Sequence, residues 1–460
     1  MSQSPSSART NNGLSWLGIS AWIRRQEWLR SIYRYLPTTL RDRLSLALAA
    51  PARARARFVH TPAWKHVDNA SAPLASIPVR DQYATDAGVN IFAYFRGQFG
   101  LAESARLYAR ALIEAGYPVA LHDIDLNLPH GMGDRTLENY LGEATPFSIH
   151  LIFVNPDYLQ EAIDAIGRKR FEGRYVIACW FWELEIIPEE WLSALQDVDE
   201  ILVATRFVEQ AFRRVTDKPI TCIPLPVTEM ADSGLTRQDF GLREDAFIFL
   251  LTFDFNSWLD RKNPFAAINA FSAAFPPERN DVQLLVKSSN GHRHPEQFLR
   301  LLAAAKNDPR IIVRDEVIDR AHVHALQRSA DAYISLHRSE GFGLGMAESM
   351  RLGKPVVATH WSGNVDFMEP SNSCPVNYRL VPVNEGEYLH WRGQHWAEAD
   401  VQHAAEHMRR LVDEPEYAKR LGGKAASDIR LQLSMETAAK ALIERLQTLH
   451  ANLSRNSSLG

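Results

Sequence analysis

The sequence predicts an α/β chain built from two doubly wound parallel-sheet domains behind a basic, amphipathic N-terminal extension. Three observations carry that expectation. From Gly88 onward short apolar runs alternate with helical patterns, the signature of parallel strands joined by crossover helices. A polar stretch, Thr228 to Asp245, divides the alternation into two blocks. With 460 residues, the chain exceeds what one core usually organises, and each block is long enough to bury its own.

The extension differs in kind from the rest of the chain. Residues 1–60 hold ten arginines and no lysine against Glu27 and Asp42, although the whole chain carries a formal net charge of −4. That overall balance, with 46% hydrophobic residues, excludes the global basic excess of a nucleic-acid binder. After a Ser-rich leader, Met1 to Ser7, an aromatic and Arg-rich stretch runs from Leu14 to Leu36. There Trp22, Leu29 and Leu36 recur seven apart, Ile32 and Tyr33 lie beside them, and Arg24, Arg25, Arg30 and Arg34 are interleaved. The spacing predicts an imperfect amphipathic helix ended by Pro37. Two placements are open: on an anionic membrane surface, through residues 14–57, or against the chain's own catalytic domain. A polar, Pro-containing run then leads to Ala87.

Cys179, Cys222 and Cys374 stand apart, odd in number and without metal-ligand spacing, so a reducing compartment and no disulfide are expected. The first residues lack the charged and apolar regions of a secretory signal, and no run approaches a membrane span. Cytoplasmic residence follows, with peripheral contact at the inner face of the membrane if the extension binds lipid.

In the first block the strands are Val89 to Phe95, Ile149 to Val154, Tyr175 to Cys179, Ile201 to Ala204 and Ile220 to Ile223, with a helix from Leu101 to Ala115. The second block has Phe247 to Phe253, Val282 to Lys287, Ile311 to Val313, Ala332 to Leu336 and Val356 to Thr359. Helical patterns at Ala404 to Leu411 and Met435 to Leu449 close the chain, with Ser434 an N-cap for the last. The divisions are 1–87, 88–235, 236–430 and 431–460.

The most informative stretch runs from His337 to Glu348. Glu340 and Glu348 bracket Gly341-Phe342-Gly343-Leu344, between a strand and a helix that Gly353 terminates. Glu340 therefore lies above a strand's carboxyl end, where open sheets place ligands, and the helix behind it points free N–H groups at an anion. One carboxylate can grip sugar hydroxyls and the other ribose, with diphosphate between them. Earlier in this block, Arg261 and Lys262 precede Asn263, a good N-cap, and Pro264, which suits a first helical position. A guanidinium beside an ammonium there suits a diphosphate, although a basic pair before a helix is more often solvated surface.

In the first block, Gly97 and Gly100 join strand to helix without dinucleotide spacing. They serve either tight packing or close approach of backbone amides to a phosphate or acceptor. After the strand from Tyr175 comes Trp180-Phe181-Trp182-Glu183. The run is either core or a pair of indoles stacking a sugar beside a carboxylate. Asn155-Pro156-Asp157 is a weaker site of the same kind, and Ser362-Gly363-Asn364 either adds amide donors to a phosphate or is a plain turn. His130, His292, His294 and His337 lack ligand spacing, so no metal is expected.

Together these residues resemble the retaining glycosyltransferases of family 4, which have the GT-B fold. The likeness spans about Gly88 to His450. It implies two Rossmann-like domains facing a cleft, a nucleotide sugar held by the second, and a last helix crossing back to the first. It implies that Glu340 contacts the donor sugar, Glu348 the ribose, and Arg261 and Lys262 the diphosphate, helped by amides of Gly341 to Leu344. At the position where members carry a catalytic histidine or aspartate this chain reads Trp180 to Glu183, making Glu183 the substitute. A hexose would pass with retention to a glycan, lipid-linked glycans included, with no cofactor beyond the nucleotide-diphosphate donor and no metal. Epimerases or phosphorylases of this fold, or a non-catalytic sugar-binding subunit, are the alternatives.

Overall fold

A computed structural model describes residues 9–65, 87–128 and 130–457. The Ser-rich leader and most of the run before Ala87 lie outside the described residues.

The first sheet contains β1 (Val89–Ala93), β2 (Val119–Asp123), β3 (Ile149–Ile152), β4 (Tyr175–Cys179), β5 (Glu200–Val203) and β6 (Ile220–Cys222), in the order β2-β1-β3-β4-β5-β6. The second contains β7 (Phe247–Asp254), β8 (Val282–Ser289), β9 (Ile311–Asp315), β10 (Ala332–Ser335), β11 (Val356–Thr359) and β12 (Cys374–Val376), ordered β12-β11-β10-β7-β8-β9. Every pairing within both sheets is parallel. Because both faces are covered, the central strands read as continuous apolar runs, and β1, β3 and β8 are buried at every residue. The strand expected from Ala332 ends one residue early and β8 runs two residues further than expected; strand ends are where sequence patterns are weakest.

The second sheet reverses its winding between β7 and β10, so the loops after these neighbouring strands diverge and leave a crevice at their carboxyl ends. Arg261 and Lys262 follow β7, and Glu340 follows β10. The sheet order thus unites residues 78 positions apart.

Beyond β2 and β12, the sixth strand of each sheet, three features had no counterpart in the sequence pattern. An antiparallel pair, β13 (Tyr378–Pro382) and β14 (His395–Ala399), projects after β12, and a helix spans Pro415–Gln432. The third is a division of the expected single helix between Leu14 and Leu36 into Arg9–Arg25 and Glu27–Tyr35, broken at extended Gln26, with a further helix at Thr38–Ala56 after Pro37. This extension packs on the second domain. Leu17, Ala49, Ala52 and Ala56 join its core, Arg24 donates to the Arg293 carbonyl, Arg25 pairs with Glu296 and Arg57 with Glu316.

The last helix, Met435–Ser457, returns to the first domain. The Ser434 hydroxyl accepts from the Thr437 amide at 3.0 Å, forming the expected cap. Leu442, Leu446 and Leu449 then enter the first core beside the Gly100–Glu114 helix, and Arg445 meets the buried Glu200 carboxylate. Among the described residues no helix is long and apolar enough to cross a membrane.

Candidate active site

Arg261 and Lys262 belong to a four-residue helix, Leu259–Lys262, rather than to the start of the next one. Asn263, left-handed at φ 48°, separates the two and caps the Pro264–Ala274 helix through the Ala266 amide. The pair therefore points back over β7 toward β10. Arg261 is buried and donates to the Ser257 and Ser339 carbonyls, and its guanidinium lies 3.1 Å from Glu340 Oε2. Lys262 Nζ meets Glu340 Oε1. Burial opposes ionisation of Glu340, yet the Lys262 and Arg261 charges hold its carboxyl at about 2, so it is an anion throughout the physiological range. Burial also lowers the Lys262 ammonium below its ordinary value, against the pull of Glu340. His337 is fully buried below this trio, and burial presses it to about 4, so it is neutral at pH 7.

The glycines of the Glu340 loop are steric requirements. Gly343 has φ +99°, and a Cβ on Gly341 would lie 3.1 Å from the Trp182 carbonyl of the first domain. A Cβ on Gly363 would come within 2.3 Å of the Gly341 carbonyl. The Gly363 amide donates to the Glu340 carbonyl, and the Ser362 hydroxyl accepts from the Glu340 amide. Ser362 and Gly363 thus hold the glutamate loop in place, and of the three amides expected as phosphate donors there the Gly363 one is taken up by Glu340. The amides of Gly341, Phe342, Gly343 and Leu344 meet no acceptor among the described residues, and the Leu344–Arg351 helix starts directly behind them. Four N–H groups and a helix N-terminus beside two cations are chemically suited to an anion.

Glu348 is buried on that helix and bound to Arg320, with Gln327 Nε2 at 3.2 Å. Burial opposes its charge, but Arg320 wins and leaves the carboxyl below its ordinary range. Arg320 also reaches Glu103 of the first domain at 3.8 Å, and Glu103 is held by Arg106 and falls to about 2 despite burial. The Arg106 guanidinium in turn donates to the Gly97 carbonyl at 2.7 Å. The loop of Gly97 and Gly100 therefore joins the site through a chain of charges. Gly97 is tightly enclosed, 3.0 Å from the Tyr94 carbonyl at its would-be Cβ, whereas Gly100 faces open space.

Trp180 and Trp182 are buried and donate to the Val154 and Ile186 carbonyls. This corrects the sugar-stacking reading: each indole is a core anchor whose N–H is already used. Glu183 alone of that run faces the cleft. Its carboxylate lies 3.7 Å from Arg261 and accepts from the Tyr388 hydroxyl at 2.8 Å. Asn155 bonds the Phe181 backbone in both directions and so fixes the strand exit that carries Glu183. Further contacts close the domains over this point, from Thr205 to the Gly341 carbonyl at 2.9 Å and from Ser339 to the Glu183 carbonyl.

Arg320, Glu103, Tyr388 and Thr205 escaped sequence reasoning. None belongs to a spaced motif. The one available signal was the Glu103 and Arg106 pair at helical spacing just after the glycine loop. Among the described residues no cluster of three metal-ligating side chains occurs.

A two-sheet molecule with its charged crevice at the switch point of the second sheet defines the GT-B class, and solved structures agree on the fold. Sucrose-phosphate synthase from Thermosynechococcus elongatus superposes with a TM-score of 0.60 at 14% identity, covering 80% of this chain and 100% of that one. HepE from Anabaena, solved with UDP and glucose, gives 0.57 at 13%, covering 79% and 100%. A glycosyltransferase from Rickettsia africae gives 0.59 at 13%, covering 80% and 100%. Residues 255–413 match the family model described as Glycosyl transferases group 1, and this stretch includes Arg261, Lys262, Glu340 and Glu348. Two curated relatives are a trehalose synthase of Pyrococcus horikoshii, 25% identical over 32% of each chain, and one of Rubrobacter xylanophilus, 24% identical over 45% of this chain and 46% of its own. The chain thus spans 32% and 46% of the lengths of these two curated relatives.

Proposed function

We propose that the chain is a retaining glycosyltransferase that moves a hexose from a nucleoside-diphosphate sugar to a glycan acceptor, a lipid-linked glycan being the form that suits its extension. The observation that carries this reading is the convergence of Arg261, Lys262 and Glu340 beside the four unpaired amides of Gly341 to Leu344. In this scheme the diphosphate takes the amides and Lys262, competing with Glu340 for the cations. Released from them, Glu340 binds the sugar, and Glu348 exchanges Arg320 for ribose. The bond from the anomeric carbon to the diphosphate breaks while the acceptor oxygen bonds to the same face, its proton passing to the departing phosphate oxygen. Arg261, Lys262 and the helix start stabilise the charge that develops on the leaving group, a task that needs no divalent metal. Glu183 faces the reacting carbon from the first domain. The naming of UDP with glucose for HepE makes UDP-glucose the first donor to test.

A thermal-shift panel of nucleoside-diphosphate sugars tests the reading, since a ligand bound only to the folded state raises apparent stability. At least one donor should raise Tm and support transfer, and Glu340→Ala should lower kcat by about a thousandfold. Full activity of that variant would overturn the assignment.

The extension is proposed to rest on an anionic membrane. Trp22, Trp28 and Tyr35 are 58%, 64% and 90% exposed on the first two helices of an extension that is anchored to the second domain through Leu17, Ala49, Ala52 and Ala56. Replacing Trp22 and Trp28 by Ser should reduce co-sedimentation with phosphatidylglycerol vesicles; unchanged binding would refute the role. Deleting the extension is the poorer test, because it would bare the core that Leu17 and Ala52 cover.

A further inference from the structure

The segment between β12 and the Val401–Asp413 helix is the part of the second domain that the sheet pattern leaves unexplained. β13 and β14 pair with each other and not with either sheet. The twelve residues that join them, 383–394, reach across to the first domain. Val383, Tyr388 and Trp396 are buried in the same apolar cluster as Trp180, Trp182 and Trp191. The Gln394 amide bonds the Ile186 backbone twice, accepting from its N–H at 3.2 Å and donating to its carbonyl at 2.7 Å. His390 lies 3.4 Å from Glu190. At the other end β14 is tied to the residue before Ser339 and Glu340: the Ala397 amide donates to the Arg338 carbonyl, Arg338 pairs with Glu398, and its guanidinium covers the Trp396 ring. The hairpin is a clasp with one end on the donor loop and the other on the loop that bears Glu183.

Tyr388 sits at the centre of this clasp. Its hydroxyl is 2.8 Å from Glu183 Oε2 and its ring lies 5.8 Å from the Arg261 guanidinium and 5.7 Å from Trp258. We propose that Tyr388 is the positioning residue for Glu183, holding the first-domain carboxylate at the reaction centre from a hairpin of the second domain. The inference rests on the transferase reading above and deepens it. A carboxylate on a loop end has free rotamers, and a buried donor that can only give a proton to it selects one. Burial and the neighbouring Glu183 push the Tyr388 hydroxyl far above its ordinary range, so it stays a donor at any working pH. Because the hydroxyl comes from one domain and the carboxylate from the other, Glu183 is placed only when the domains meet, and the reaction centre is complete only in that arrangement.

The test is Tyr388→Phe, which keeps the ring and its packing and removes one oxygen. Transfer is measured with a donor that shifts the wild-type Tm, alongside binding of UDP alone. The expected result is a kcat about tenfold lower, the scale of one hydrogen bond to a charged group, with donor KM and UDP affinity unchanged. Combined with Glu183→Ala, the two losses should fail to multiply, since without the carboxylate Tyr388 has nothing to position. An unchanged kcat in Tyr388→Phe, fully multiplicative losses, or a parallel fall in UDP affinity would each overturn the inference; the last would mark Tyr388 as merely structural. Wild-type protein that binds no nucleoside-diphosphate sugar overturns the transferase reading and this inference with it, an outcome distinct from an active wild type indifferent to Tyr388→Phe.

Discussion

The carboxyl ends of the second sheet present Arg261, Lys262, Glu340 and Glu348 to the cleft, each buried or nearly so and each paired within a few ångströms. The matching ends of the first sheet present backbone, apolar anchors, the Glu103 and Arg106 pair that reaches the site only through Arg320, and one half-buried carboxylate, Glu183, that meets the Arg261 guanidinium directly. The architectures are alike, so strand order alone does not dictate where charge accumulates. What differs is what each crevice must hold. A diphosphate demands fixed positive charge, which in its absence has to be balanced by carboxylates on the same wall. A partner group such as Glu183 needs only to be aimed, and Asn155 of the first domain does so together with Ser339 and Tyr388 of the second.

If that contrast is right, the two walls should respond differently to losing one charge. Arg261→Leu strips a buried carboxylate of its guanidinium partner and should cost about 3–5 kcal/mol of stability in urea melts. Glu183→Gln should cost less than about 1 kcal/mol, because the side chain is partly exposed and keeps Tyr388. Equal losses would erase the distinction.

The glycines offer a second, smaller contrast. Gly363→Ala drives a Cβ into backbone atoms at 2.3 to 2.8 Å that cannot swing aside, and should destabilise by about 1–3 kcal/mol. Gly100→Ala meets nothing within 4 Å at the start of a helix and should be neutral or stabilising by up to about 1 kcal/mol. Thermal midpoints of the two variants decide this, and a harmful Gly100→Ala would restore a backbone role for the first-domain loop.

Acid should reveal the smallest difference. Glu340 and Glu103, one from each domain, have folded values of about 2 against 4.5 unpaired. Their contribution is complete above about pH 4.5 and is lost as pH falls from there toward 2. His337 has a folded value of about 4 against 6.5, so the folded state binds fewer protons between those values, and stability falls as pH drops below 6.5 toward 4. The Tm of His337→Gln should therefore decline less than the wild type across pH 6.5 to 4, with both declining together below that. Identical profiles would remove His337 from the account.

The second wall was legible in the sequence because its chemistry is local. Glu340 to Glu348 spans one strand, one turn and one helix, and Arg261 to Pro264 carries its own cap. The first wall was not. Trp180 and Trp182 read as core or as a sugar platform, with core the commoner reading for an aromatic run, and their burial and hydrogen bonds to Val154 and Ile186 decide for core. Arg320 and Tyr388 reach the site through the winding of the sheet and through a hairpin loop without periodicity, so no spacing announces them. The break at Gln26 was hidden because the apolar spacing of the extension continues across it, while Leu17 before it and Ala49, Ala52 and Ala56 well after it are fixed by the second-domain core.

The return of the Met435–Ser457 helix has a consequence for how the chain is made. Residues 89–222, which supply the whole first sheet, leave the ribosome early, but the helix that covers part of their core and brings Arg445 to the fully buried Glu200 is synthesised last. Until then the partners of Glu200 are the hydroxyls of Tyr175 and Thr221, and the Gly100–Glu114 helix lacks its cover. The second domain, whose sheet is complete at Val376 and whose covering helices precede residue 433, can finish first. Assembly during synthesis therefore runs against chain order: the domain that emerges first is the last to close.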